Sequence, residues 1–147
     1  MSTTDKDLYS KVLTTLQGAD DLSYVKHFYQ GWRSNIAEAN LPAIVVEPGT
    51  IYQKEPSVFK GLVRYNFDII IWGLIIIANK DNQILGDDTH KGFLDIQEDI
   101  QASLRTDWTL GGLAENIAFP NIEAGYASYP VRSTKITLRI DYRRLFT

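Results

Sequence analysis

The sequence predicts an α+β domain, with a mainly antiparallel sheet of about four to five strands and two amphipathic helices packed on one face. Residues 61–79 read as one long strand, and residues 131–146 give the clearest alternating strand pattern of the chain. Residues 8–16 and 89–104 instead repeat their apolar positions at helical spacing. The resulting order is helix, two or three strands, helix, two strands, which is typical of an α+β domain.

The N-terminal segment predicts an amphipathic helix followed by a short strand. Asp5 is the expected N-cap and Gly18 the expected end of this helix. Its apolar positions are Leu8, Val12, Leu13 and Leu16. Residues 22–30 alternate with mixed character on both sides, so we predict a short edge strand there.

The next segment predicts a short strand and then an arm. Leu41-Pro42 opens the strand AIVVE, and Pro48-Gly49 is expected to close it. Residues 50–60 have strand-like residues on both sides of Pro56. Their apolar side chains have no sequence-local core to enter, so we predict a protruding hairpin or assembly arm. The arm residues are Ile51, Tyr52, Val58 and Phe59.

The long strand has two faces of different chemistry. Odd-numbered positions from 63 to 71 are all apolar, whereas Arg64, Asn66 and Asp68 point the other way. From Ile70 onward the even-numbered positions are mostly apolar too, so the second half needs cover on both sides from a helix, a strand or another subunit. Its uninterrupted apolar run, 69–78, is shorter than the roughly 20 residues of a membrane-crossing helix. We expect no membrane association.

The last third of the chain predicts the second helix and two strands. Asp87 or Asp88 is the expected cap of the helix at 89–104. Residues 113–123 give a weak strand interrupted by Pro120. In the final strand, the core residues alternate with polar residues, which include the basic row Lys135, Arg139 and Arg143.

Charge is unevenly placed along these elements. The second helix carries Asp95, Glu98 and Asp99, and the final strand carries the basic row. A solvated helix beside a polar strand face explains this pattern, and so does charge-matched contact between neighbouring subunits. The second interpretation makes both sets of residues charged assembly faces.

Residues with catalytic or metal-binding chemistry do not form a recognisable site. The acids of the second helix lie at spacings of three and four, which suits paired carboxylates but is routine on any solvated helix. His27 and His90 are far apart, and His90 with Asp87 and Asp88 lacks metal-ligand spacing. We therefore predict no catalytic residues, no metal and no cofactor.

Composition limits the remaining classes. The chain has no cysteine, which excludes disulfides and thiol chemistry. A net charge of −3 provides no overall basic field for binding nucleic acid. The N-terminus resembles neither a secretory signal nor a transit peptide. We expect one domain, 1–147, in the cytosol.

The order of elements and several local phrases resemble the tail terminator, or tail completion, proteins of long-tailed bacteriophages. The resemblance rests on the N-terminal helix, the LPAIVV phrase at 41–46 and the arm at 50–60. It continues through FDIIIW at 67–72, the helix at 89–104 and TLRIDY at 137–142. It covers nearly the whole chain and consists of patterning rather than invariant motifs.

This resemblance implies a structural virion protein made in the host cytoplasm. Such a subunit forms a ring, here expected to be a homohexamer, at the head-proximal end of the tail tube. The ring ends polymerisation of the tail tube protein and contacts neck or head-tail connector proteins. DNA passes through its lumen without sequence-specific binding. The family acts by shape and contact, with no cofactor.

Two alternatives remain open at this point. A neck or head-completion ring subunit faces similar constraints. A small-ligand-binding or hydrolytic α+β domain would instead use a cavity between sheet and helices, with Trp72 or Tyr142 lining it.

Overall fold

The computed structural model of the chain describes residues 4–33, 36–54, 62–76, 84–86, 91–128 and 131–145. These residues form the helices α1 (Asp5–Gln17) and α2 (Phe93–Arg105) and the strands β1 (His27–Gln30), β2 (Ala43–Gln53), β3 (Leu62–Ile76), β4 (Asn116–Ser128) and β5 (Val131–Leu145). The strand order is β1-β2-β3-β5-β4, with β1 parallel to β2 and all other neighbours antiparallel. The predicted α+β class and mainly antiparallel sheet are confirmed.

Both helices pack on one face of the sheet, the helix-covered face. Alternate residues of the strands meet the apolar stripes of α1 and α2 there, in one large cluster. Its fully buried members include Leu8, Val12, Leu16, Ile44, Ile69, Ile71, Ile96, Ile100, Leu104, Ile136, Leu138 and Ile140. Burial of each large apolar side chain contributes about 1.5–3 kcal/mol, so this layer supplies most of the stabilisation.

The helix caps differ from the predicted ones. Thr4, rather than Asp5, caps α1: its hydroxyl accepts a hydrogen bond from the Asp7 amide at 3.2 Å, and the Asp7 carboxylate accepts one from the Thr4 amide at 3.1 Å. Asp5 is the first helical residue and accepts a hydrogen bond from the Tyr142 hydroxyl.

The start of α2 also differs from the prediction. This helix begins at Phe93, and Gly92 is its N-cap. The Asp95 carboxylate accepts a hydrogen bond from the Gly92 amide at 2.7 Å. The expected caps Asp87 and Asp88 lie outside the described residues.

Strand β2 does not end at Pro48-Gly49, as the sequence predicts, but continues to Gln53. Its pairing with β1 covers only Ala43 to Val46, so Pro48 lies beyond that strand and its missing N–H breaks no ladder there. The register against β3 shifts between Pro48 and Ile51. A Cβ at Gly49 would lie 2.7 Å from the Asp68 carbonyl oxygen, so glycine permits this close approach.

The edge strands are shorter or longer than expected. Only His27 to Gln30 forms β1, after a 3-10 turn at Asp20–Leu22. Strand β4 begins later than predicted and runs past Gly125, and its register against β5 shifts between Ala118 and Asn121, around Pro120. An edge strand tolerates proline at such an irregularity.

The second half of β3 is covered on its other face by the chain itself. Leu74 is buried in a second apolar cluster with Leu41, Val45 and other residues. Ile36, which precedes β2 like Leu41, packs against that cluster. The cover therefore includes the irregular segment before β2, rather than only a helix, a strand or another subunit.

Candidate functional site

A charged half of the sheet forms the most distinctive surface of the described chain. It lies on the side opposite the core row of β5, at the end of the β2–β3 hairpin where β2 ends and β3 begins, and we call it the open face. Its residues are Tyr52, Lys54, Arg64, Asn66, Asp68, Arg139, Asp141 and Arg143. The antiparallel register places Asp68 opposite Arg139, Asn66 opposite Asp141 and Tyr52 opposite Asn66.

An ion pair between Asp68 and Arg139 is the centre of the open face. Nε and Nη2 of Arg139 donate to the two carboxylate oxygens of Asp68 at 2.9 and 3.0 Å. Asp68 is only 7% exposed. The hydrogen bonds to Asp68, and then its charge, raise the pKa of Arg139 above its usual value. Such two-point pairing fixes the guanidinium, which also lies 5.7 Å from the centre of the Tyr52 ring.

Two further ion pairs described on this face are exposed. Nε of Arg143 donates to Glu115 at 2.6 Å, and Nζ of Lys54 lies 3.6 Å from Asp141. Exposed pairs of this kind contribute about 0–1 kcal/mol each. They make the open face a mosaic of both charges, rather than a purely basic surface.

The predicted basic row lies on one side of β5, as the alternation requires. Two of its members, Arg139 and Arg143, already pair with carboxylates of their own chain. Lys135 is opposite Trp72 in the register, and it makes no ion pair within the described residues. Lys135 is thus the member of the row most available to a partner.

The predicted acidic residues lie on α2, in the layer that covers the other side of the sheet. Asp95 holds the N-cap, while Asp99 accepts a hydrogen bond from the Tyr24 hydroxyl at 2.9 Å and lies 3.7 Å from Lys91. Glu98 is exposed and has no ion pair in the described part of the chain. The acidic and basic sets belong to opposite layers of one chain, so contact between them requires two copies.

The hydrogen bond from Tyr24 to Asp99 predicts sensitivity to alkaline pH. Burial, and then the bond to Asp99, raises the pKa of Tyr24 well above its usual value near 10. The folded state therefore keeps this proton where the unfolded chain loses it. The contribution of the Tyr24 hydroxyl to the free energy of unfolding is therefore complete below about pH 10, and it declines as the pH rises above that value.

Replacement of Tyr24 by phenylalanine should therefore flatten the alkaline end of the stability profile. We expect Tyr24→Phe to lower the free energy of unfolding by about 1 kcal/mol at neutral pH, because the hydrogen bond to Asp99 is lost. Denaturant unfolding between pH 7 and 11 would measure this change. An alkaline slope identical to that of the wild type would contradict the assignment to Tyr24.

The predicted arm is partly described. Ile51 and Tyr52 lie near the end of β2 and are 44% and 46% exposed. Because they are adjacent in a strand, their side chains point to opposite faces of the sheet. Val58 and Phe59 lie outside the described residues. The described part thus belongs to β2 and exposes two apolar side chains, and the assembly arm stays a prediction.

A small cavity lies at the end of the sheet near the hairpin. Its volume is about 190 Å³, and its lining comprises Lys54, Arg64, Tyr65, Glu115, Asn116, Asp141 and Tyr142. Typical small-molecule sites measure about 300–1,000 Å³ and have mainly apolar walls. Tyr142 lines the cavity, whereas Trp72 instead contacts Trp32, with ring centres 4.9 Å apart.

The histidines remain apart in the described structure. His27 is exposed on β1 and stacks on Tyr29 at 4.8 Å between ring centres, and His90 lies outside the described residues. Within the described ranges, no three His, Asp or Glu side chains form a group that could hold a metal ion. No described helix is long and apolar enough to cross a membrane.

Sequence reasoning missed the pairing of Asp68 with Arg139 and the exposure of Trp108. The pair depends on the register between β3 and β5, which no short-range signal encodes. Trp108 is 55% exposed just after α2, and no local pattern of the sequence indicates that exposure.

Comparisons with known proteins identify no family for this chain. No protein-family profile matches it, and no curated protein sequence matches it significantly.

Proposed function

We propose that the chain is a structural subunit of a phage virion that forms a homohexameric ring at the head-proximal end of the tail tube. The ring would end polymerisation of the tube and join the tail to the neck, with DNA passing through its lumen. The resemblance of nearly the whole chain to tail terminator proteins is the basis of this proposal. In this role the protein is not an enzyme and needs no cofactor.

The exposed apolar residues at the end of β2 are the main structural support for this proposal. Ile51 and Tyr52 expose apolar side chains where β2 extends past β1. Tyr52 lies among the charged residues of the open face, and Ile51 points to the opposite side of the sheet. Apolar groups rimmed by charges are characteristic of protein interfaces. In a ring, two different surfaces of the subunit meet head to tail, and this end of β2 would supply one of them.

Assembly with the tail tube protein tests the proposal. We expect the wild-type chain to form rings at one end of growing tubes and to stop their elongation, as seen by electron microscopy. The double substitution Ile51→Ser and Tyr52→Ser should abolish this capping, because the apolar contact is removed. Thr50→Ser, at the neighbouring exposed position, is the matched control and should leave capping unchanged.

Several outcomes would contradict this role. Tubes that elongate equally with and without the wild-type chain would rule out termination. Labelled copies found in the neck, away from the tube end, would favour the neck or head-completion alternative. A small molecule bound in the cavity that Tyr142 lines would favour the ligand-binding alternative.

A further inference from the structure

One stripe of exposed residues along α2 would match the same stripe of a second, antiparallel copy in charge. Leu94, Glu98, Gln101 and Arg105 follow one another at spacings of four, three and four, which places them on the same side of the helix. Leu94, Glu98 and Arg105 are exposed, and the apolar residues Ile96, Ile100 and Leu104 face the core instead. The stripe therefore has an apolar group and an acid near its start and a base near its end.

An exposed tryptophan follows the stripe in the chain. Trp108 follows Arg105 by three residues, in the turn after α2, and is 55% exposed. The same turn is anchored by Leu110, which is fully buried and has a φ of 51°. Non-glycine residues rarely adopt this left-handed conformation, and it persists only where the surroundings enforce it.

Hydrogen bonds hold the rest of this turn. The Leu110 amide donates to the Asp107 carbonyl at 2.9 Å, and the Ala114 amide donates to the Thr109 carbonyl at 2.9 Å. These bonds fix the backbone that carries Trp108. Tryptophan is frequent at the centre of protein interfaces, because it buries a large apolar area.

We infer that α2 pairs with α2 of a second copy of this chain in an antiparallel, isologous contact. A two-fold axis near Gln101 and Ala102 would place Glu98 against the partner's Arg105, and Leu94 against the partner's Trp108. By symmetry each contact occurs twice. Ala102 is small and exposed, so it permits the close approach of the two helices at the axis.

Other exposed groups of the described chain fit the same arrangement. Ile84 and Leu85 are 39% and 74% exposed, and the Ile84 carbonyl accepts a hydrogen bond from the Leu94 amide at 3.0 Å. They enlarge the apolar end of the stripe that would receive the tryptophan. Glu98 makes no ion pair in the described part of its own chain, and the guanidinium of Arg105 lies over the Phe119 ring at 4.9 Å.

This contact goes beyond the proposed ring, because an isologous pair closes after two copies and cannot by itself build a cyclic hexamer. A helix of 13 residues is about 20 Å long, so the contact is smaller than the standard interface of about 1,600 Å². The dimer should therefore be weak and increase with protein concentration.

Charge reversal along the stripe provides the test, by sedimentation equilibrium over a concentration series. Glu98→Arg or Arg105→Glu alone would place like charges together at both pairs, and we expect each to weaken the dimer by about tenfold or more. The double variant restores opposite charges and should dimerise like the wild type. An equimolar mixture of the two single variants should also dimerise, because each pair again joins an acid to a base.

Controls separate this contact from general charge effects. Lys26→Glu reverses an exposed charge outside α2 and should leave dimerisation unchanged, while Trp108→Ala should weaken it. Thermal melting checks that each variant is folded. A wild type that remains monomeric at every concentration would overturn the inference. So would association insensitive to the single reversals, or not restored by the double variant.

The two proposals can fail separately. A hexamer whose mass does not respond to reversal at Glu98 or Arg105 would leave the ring standing and remove the α2 contact. A charge-dependent dimer that never caps tail tubes would support the α2 contact and contradict the proposed role at the tail tube.

Discussion

Arg139→Glu should lower the free energy of unfolding by about 2–3 kcal/mol. It would place a second carboxylate against Asp68, which is 7% exposed and now receives two hydrogen bonds from Arg139. Loss of one partner from a fully buried ion pair costs about 3–5 kcal/mol. The expected cost is lower here because the Arg139 side chain is 38% exposed and partly screened by water. Denaturant unfolding at neutral pH measures the change.

Arg143→Glu is the matched control on the same side of β5. Its partner Glu115 and Arg143 itself are both 42% exposed, so this reversal should cost less than about 1 kcal/mol. A tail-tube assay on Arg143→Glu can therefore separate a defect of assembly from a defect of folding. If both reversals lowered the free energy of unfolding by the same small amount, the ion pair between Asp68 and Arg139 would not stabilise the fold as described.

Gly92→Ala should lower the free energy of unfolding by about 2 kcal/mol. A Cβ at this position would lie 2.3 Å from the Gly86 amide nitrogen and 2.8 Å from the Ile84 carbonyl oxygen. These are backbone atoms, so the turn at 84–86 would have to move away from the start of α2. Overpacking of this kind costs about 1–3 kcal/mol, and alanine is also a poorer N-cap than glycine.

The matched control is Gly125→Ala on β4, where the nearest atom to an added Cβ is the Ser133 hydroxyl oxygen at an ordinary 3.5 Å. We expect this variant to unfold like the wild type within about 0.5 kcal/mol. If Gly92→Ala were equally stable, the turn at 84–86 would not pack against α2 as described. The same variant should weaken α2 dimerisation, because Ile84 and Leu85 would be displaced from the apolar end of the stripe.

The side of β5 on which the basic residues lie could be predicted from the chain alone, but the ion pair at the centre of the candidate site could not. Alternation put the basic residues of β5 on one side of that strand. Ile51 and Tyr52 are exposed, and their role as an assembly arm stays a prediction. Which of those charges remain available to a partner depends on cross-strand neighbours. The sequence distance between Asp68 and Arg139 is 71 residues, and only the sheet register brings them together.

The sequence by itself determined the fold class, because the periods of its apolar residues are local properties. A spacing of two specifies a strand with one buried side, and a spacing of three and four specifies a helix with one buried stripe. These spacings were sufficient to predict that α1 and α2 are helices and that β3 and β5 are strands. They were also sufficient to predict a sheet with both helices on one face.

The tertiary structure decided the features that depend on long-range neighbours. It showed that Pro48 lies inside β2, because β1 ends before that position, and that the second apolar side of β3 is covered by residues that include Leu41. It also placed Gly92, rather than an aspartate, at the cap of α2. In each case the local pattern permits several conformations, and packing against residues distant in sequence selects one of them.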